Sequence, residues 1–330
     1  MNFEVHIKNL GKVGNATIPI TPLTIITGAN GSGKSFFTKS LYSILTTLNK
    51  NLFRDSINQE IAVIDRLLQI LTENLSRKSK TDIEEIDLLR EATNEIQQRL
   101  EELNFLDLES YLLTIKKLEP NTKRLKRLLQ NFEKRIKGTK TKFASIEHLL
   151  QASNQRLVSI EKKITNSPNS YYEFIISRIN NELNSNFQIK SSNELISFKE
   201  DFATISIDRL FEYQINRGSN NDIDLKLDFS ESIRSLNEIV FFESPAYWKV
   251  REALIYRQDV ARFENYENRI LTGVPKYFYD LDRLFNLNLT TTGKNEFEDL
   301  AKKIEEILQG SFKFDKGTLT YIDNITSREI

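Results

Sequence analysis

Lys34 and Ser35 close the run Gly28-Ala29-Asn30-Gly31-Ser32-Gly33-Lys34-Ser35. Its G-x-x-x-x-G-K-S spacing is that of a phosphate-binding loop. Glycines let backbone N–H groups close around phosphate oxygens with no Cβ in the way. Lys34 is long enough to reach the β- and γ-phosphates and to stabilise charge on them, which is its expected catalytic part. Ser35 can place its hydroxyl on Mg²⁺ and is the candidate metal ligand. Phe36 adds a backbone N–H at the start of the following helix. Gly28, Ala29, Asn30, Gly31, Ser32, Gly33, Lys34, Ser35 and Phe36 are therefore the candidate binding residues, and ATP with Mg²⁺ the implied ligands.

Such a loop must be carried between a strand and a helix. Leu23-Thr24-Ile25-Ile26-Thr27 is short, apolar and β-branched, and predicts a buried strand leading into Gly28. Phe36 to Leu45 contains neither Gly nor Pro and predicts a helix whose positive end faces the anion. The competing reading is a Gly-rich turn with no ligand; the flanking pattern favours the phosphate loop.

Hydrolysis would also need an acid. Ile239-Val240-Phe241-Phe242 is an apolar run followed by Glu243, but Ser244 stands where a second acid would follow. Glu243 is the one candidate to position Mg²⁺ or water; its structural alternative is a strand-end residue that pairs locally. Tyr279-Asp280-Leu281-Asp282 is a weaker rival and reads as a helix start. His6 and His148 are isolated, and the chain has no cysteine, so a zinc site, a disulfide and thiol catalysis are not expected.

Composition bounds the class. Lys and Arg total 46, as do Asp and Glu, so no global field draws the chain to nucleic acid or membrane. Gly numbers only 11 and Pro 6 in 330 residues, which favours long helices. No apolar stretch is long enough to span a membrane and no secretory leader is evident. A soluble, cytoplasmic chain of two domains is the expectation.

Asn2 to Lys8 and Ala16 to Ile20 alternate like strands around a Gly-containing turn, with Pro19 marking the second as an edge. Between residues 51 and 166 the period becomes heptad. Ile57, Ile61, Ile64, Leu68, Leu71 and Leu75 form one seam, and Ile86, Leu89, Thr93, Ile96, Leu100 and Leu103 a second. Phe143, Ile146, Leu150, Ser153, Leu157, Ile160 and Ile164 form a third. Thr81 to Glu84 resembles a capping box, while Pro120 and Lys137 to Lys140 mark breaks. The expected product is a compact antiparallel bundle or short stalk. Residues 82–109 are acidic and 116–142 basic, including Lys116, Lys117, Lys123, Arg124, Lys126, Arg127, Lys134 and Arg135. The two stretches are expected to pair locally; the alternative is a basic face for nucleic-acid phosphate.

After Pro168 a short helix over Tyr171 to Leu183 is followed by alternating runs at 203–207, 211–215 and 223–229. A buried strand is expected at 239–242, helices at 247–263 and 297–308, and a hairpin over 312–322.

The opening from Ile7 through Gly28 to Ser35 resembles the SMC/RecF/RecN-like branch of ABC-type ATPases, and bacterial AAA-annotated ATPases of phage-defence and toxin–antitoxin settings. The clear match covers about fifty residues; weaker similarity extends over 171–330. The resemblance implies an α/β P-loop NTPase fold, an ABC/SMC-like head lobe with an inserted helical coiled coil or bundle. Residues 1–50 would start the lobe, 51–166 form the insertion and 167–330 return to the lobe. It also implies ATP sandwiched between two heads, with a signature motif supplied across the interface. No complete signature or Walker B strand is visible, so the sequence reads as the N-terminal half of such an ATPase. The expected partners are ATP and a second head or complementary half carrying signature and Walker B. An effector nuclease or toxin and DNA are further candidates. The alternative is a non-catalytic nucleotide-binding scaffold whose bundle docks a partner.

Overall fold

A computed structural model describes residues 3–21, 24–75, 78–103, 108–208, 211–218, 221–225, 239–241, 250, 254, 273–287, 309–315 and 318–323. The chain forms two compact units, Met1–Leu281 and Asp282–Ile330.

In the first unit, β1 (Phe3–Leu10) and β2 (Val13–Ile20) form a hairpin. Far along the chain, β3 (Phe202–Ile207), β4 (Phe211–Asn216) and β5 (Asp222–Leu225) follow one another as a meander. Antiparallel pairing of β1 with β3, Val5 opposite Ile207 and Ile7 opposite Ile205, joins them into one sheet of order β2-β1-β3-β4-β5. The register follows from burial, because a one-residue slip would turn every apolar side chain outward. Val5, Ile7, Ala203, Ile205, Ile207, Tyr213 and Ile215 are all buried on one face. β2 is an edge, as Pro19 requires. Every strand pair among the described residues is antiparallel.

Helix α1 (Lys34–Leu48) leads from the hairpin into the helical region. There α2 (Leu52–Asn74), α3 (Lys80–Glu101), α5 (Glu119–Lys137) and α6 (Lys140–Thr165) pack as a closed antiparallel ring, each against the next and α6 against α2. A short α4 (Leu108–Lys116) makes the connection from α3 to α5. The heptad seams line its interior. Ile57, Ile61, Ile64, Leu68 and Leu71, Ile86, Leu89, Ile96 and Leu100, and Ile146, Leu150, Leu157, Ile160 and Ile164 are all buried. Each such side chain contributes about 2 kcal/mol relative to leaving it in water. Thr93 and Ser153 sit in the same seams and turn their hydroxyls onto backbone carbonyls of their own helices.

The acidic and basic helices lie side by side. Arg124 pairs with Glu95 and Arg135 bridges Asp82 and Glu85 between α3 and α5, while Lys126 reaches Glu161 of α6. α7 (Ser167–Phe187) continues from α6 after Asn166 and packs along α1. At this joint Phe53 meets Tyr171 and Phe174 edge-on, and the Arg54 N–H donates to the Tyr111 hydroxyl at 3.1 Å. One continuous apolar core runs from the sheet into the bundle.

Several expectations need correction. Thr24 to Thr27 has no regular secondary structure, no strand pairs with it among the described residues, and Ile25 is 76% exposed. Only Thr24 and Ile26 turn inward, so the alternation of a strand survives without its neighbour. The capping box belongs to Ser79 and Asp82, with reciprocal side-chain to backbone bonds, rather than to Thr81 and Glu84. α7 starts at Ser167, ahead of the expected Tyr171, because Pro168 sits in its first turn, where no N–H is needed. Ile239 to Phe241 is not in a sheet; Val240 is half-exposed and Phe241 packs on Tyr42 and Tyr277 instead. The expected helices at 247–263 and 297–308 lie almost wholly outside the described residues, as does 226–229 of the third alternating run.

α8 (Lys276–Leu287) contains the Tyr279-to-Asp282 segment as expected. In the second unit β6 (Gly310–Asp315) and β7 (Thr318–Asp323) form the closing hairpin.

Candidate phosphate-binding site

The loop between Thr27 and α1 is shaped by its glycines. Gly33 is the N-cap of α1 at φ 98°, and a Cβ there would lie 2.6 Å from the Val13 side chain of β2. Conformation and close approach both demand glycine at this position. Gly31 is also left-handed, at φ 78°. The Ser32 N–H donates to the Ala29 carbonyl at 3.2 Å, which closes a tight turn before the helix begins. Residues 28–32 and Ser35 are exposed, and Lys34 is half-buried.

The first helical hydrogen bond runs from the Phe37 N–H to the Gly33 carbonyl, at 3.0 Å. The N–H groups of Lys34, Ser35 and Phe36 stand ahead of it. α1 has no side-chain cap and no acidic residue in its first turn. Its positive end is thus left without local neutralisation, the condition an anion exploits. The Phe36 ring packs on Phe187 with centroids 5.2 Å apart, so its side chain anchors α1 and its backbone faces the loop.

Lys34 folds back over the loop. Its ammonium donates to the carbonyl oxygens of Gly28, at 2.6 Å, and Ala29, at 2.8 Å, and to Ser32 Oγ at 3.4 Å. It has no carboxylate partner among the described residues. A second cation was not singled out by linear spacing. Lys12, in the β1–β2 turn, places Nζ 3.5 Å from where a Cβ on Gly31 would stand. A hairpin turn beside a helix N-terminus is a tertiary relation, and no motif spacing reports it.

The far half of α1 is fastened by polar contacts. The Tyr42 hydroxyl donates to Asp280 Oδ2 at 2.9 Å, and Asn186 Nδ2 donates to Ser43 Oγ at 2.9 Å. Lys276 Nζ bridges Glu182 at 2.6 Å and Asp280 at 3.4 Å. Burial works against the Lys276 charge, but Glu182 and Asp280 prevail and hold its pKa above the ordinary lysine value. Burial raises the Glu182 carboxyl above its usual range, with Lys276 opposing. Asp280 is thereby committed to holding α8 against α1. Both contacts fall on the same carboxylate oxygen, Oδ2.

Glu243 lies outside the described residues. Among the described residues no group of three or more His, Cys, Asp or Glu could hold a metal. His6 Nδ1 instead lies 2.9 Å from Thr17 Oγ1 on the adjacent strand. What the loop can hold is an anion with its own counter-ion: backbone N–H groups and Lys34 for phosphate oxygens, and Ser35 for one position on Mg²⁺. Phosphate oxygens and water would complete that metal shell. No helix among the described residues is long and apolar enough to cross a membrane. No family model matches the chain, and neither a curated protein nor a solved structure is detectably similar to it.

Proposed function

We propose that the chain binds ATP–Mg²⁺ through Gly28 to Ser35, as a P-loop nucleotide-binding lobe of the ABC/SMC-like kind. One observation carries this reading. A complete G-x-x-x-x-G-K-S loop with two left-handed glycines opens a helix whose N-terminus has neither a side-chain cap nor an acid. Lys34 and Lys12 both bring positive charge to that loop, and neither has a carboxylate partner among the described residues.

The reading includes a partner. Thr24 to Thr27 pairs with no strand among the described residues, and Ile25 is exposed on it. Such a segment is suited to accept a strand from a second head or complementary half. ATP binding that favours this association would shift an assembly equilibrium. Phage defence with an effector nuclease or toxin rests on the resemblance alone.

A second reading is a non-catalytic scaffold. The first turn of α1 has no acidic residue and Lys34 has no carboxylate partner among the described residues, which favours nucleotide binding with negligible turnover by the chain alone. Nucleotide titration of the wild type and Lys34→Ala tests binding. Multiple-turnover hydrolysis by the pure chain, abolished by Lys34→Ala, would exclude the scaffold reading.

A further inference from the structure

Asn30 is followed by Gly31, the one Asn-Gly pair in the chain. An asparagine amide is open to attack by the next peptide nitrogen, which closes a five-membered ring on the side-chain carbon. A bulky following residue hinders that approach. Glycine has no Cβ and lets the backbone rotate into it.

The fold leaves this pair open. Asn30 and Gly31 are both exposed, at the tip of the turn that Ser32 closes onto the Ala29 carbonyl. Neither the Asn30 side chain nor the Gly31 N–H has a hydrogen-bond partner among the described residues. By contrast, Asn169 and Asn184 precede serines inside α7, where the next N–H is committed to the helix. A cation also stands beside the pair. Lys12 Nζ lies 3.5 Å from where a Gly31 Cβ would be, and so within about 6 Å of the Gly31 nitrogen. Positive charge at that range favours the deprotonated nitrogen, which is the nucleophile, and the oxyanion formed as it adds.

We infer that Asn30 is a self-modification site whose product closes the phosphate loop. The Gly31 nitrogen gives its proton to hydroxide and bonds to Asn30 Cγ. The Cγ–Nδ2 bond breaks, and the side-chain nitrogen leaves as ammonia with a proton from water. A cyclic imide remains. Water then adds to one of its two carbonyl carbons and breaks that carbon's bond to nitrogen. Opening at Cγ gives aspartate; opening at the main-chain carbonyl gives isoaspartate, with a main chain one carbon longer. Nothing is oxidised or reduced. Either product puts a carboxylate in the loop, where Lys34 and Lys12 can pair with it in place of phosphate. This consequence rests on the nucleotide reading; the modification itself does not. A bound nucleotide would engage the loop N–H groups and withhold the Gly31 nitrogen. An occupied chain thus keeps its site, and an empty one loses it.

Warm, mildly alkaline incubation of the full chain, then tryptic digestion and mass spectrometry, tests this. The peptide from Val13 to Lys34 should gain the mass of an amide-to-acid exchange at Asn30. Asn15, which precedes Ala16 in the same peptide, should lag, as should Asn169 and Asn184. The rate should be comparable with that of the free synthetic peptide. Lys12→Ala should slow it about threefold. ATP–Mg²⁺ should protect Asn30. The converted chain, separated by ion exchange, and Asn30→Asp should both bind ATP–Mg²⁺ about fivefold more weakly, with the thermal midpoint unchanged. A folded chain that keeps Asn30 intact while the free peptide converts would overturn the inference. So would a converted chain that binds nucleotide as tightly as the unconverted one. Conversion at Asn30 in a wild type that binds no nucleotide would support the modification site and contradict the nucleotide reading.

Discussion

Lys12 and Gly31 meet across the mouth of the phosphate loop, the lysine ammonium standing 3.5 Å from where a Cβ on Gly31 would be. The hairpin turn therefore brings a second cation to the loop that Lys34 folds over. Lys12 is exposed, so its contribution is screened and modest. Lys12→Ala should weaken ATP binding about fivefold, or about 1 kcal/mol, with no change in thermal midpoint. Unaltered affinity in a direct titration would place Lys12 outside the site.

Ile25 separates the observed segment from the buried strand that its composition suggests. At 76% exposure it contributes little to the fold of the isolated chain. Ile25→Asp should change unfolding free energy by no more than about 0.5 kcal/mol. In a buried strand the same change would cost several times as much, because an unpaired charge would be desolvated. If the segment accepts a partner strand, Ile25→Asp should abolish association while leaving ATP affinity intact. A large loss of stability in denaturant titration would show that the segment is buried in solution.

Lys276 gives the helix mounting a pH signature. Its raised pKa means that its stabilisation is fully present below pH 10.5 and is lost as pH rises through the folded value. Glu182 has a raised pKa as well, so its ionised form costs stability at pH values above 4.5, and Lys276 offsets that cost. Lys276→Met should therefore lower stability by about 2 kcal/mol near neutrality. The deficit should shrink in acid, as Glu182 is protonated, and again above about pH 10.5, as the wild type loses its own ammonium. Thermal melts across pH measure this directly, and a deficit independent of pH would contradict it.

The bundle was legible because its physics is periodic. A helix that buries one stripe must repeat near 3.5 residues, and Ile57 through Leu71 do so without exception. The meander from β3 to β5 was legible for the matching reason in a strand. Contacts between distant parts of the chain were not. Nothing near Ser43 signals Asn186, and nothing near Tyr42 signals Asp280. The cap fell on Ser79 instead of Thr81 because both offer a hydroxyl, and tertiary packing chose between them. Arg135 shows the consequence: it bonds to Asp82, the same carboxylate that closes the Ser79 box, at 2.7 Å. Gly28 to Ser35 could be read because backbone shape, helix polarity and cation lie within one short run. Lys12 could not, because its place in the site depends on how the hairpin packs on α1.

Calorimetric titration of ATP–Mg²⁺ into the full chain tests the central claim most directly. Lys34 is held by loop carbonyls, and binding must transfer its ammonium from Gly28 and Ala29 to phosphate oxygens. Charge-assisted bonds of this kind are worth about 2 kcal/mol, so Lys34→Ala should weaken binding about 30-fold. The wild type should bind one equivalent of nucleotide, more weakly when Mg²⁺ is withheld. No binding by the wild type, or equal affinity in Lys34→Ala, would contradict the assignment of Gly28 to Ser35 as a nucleotide site.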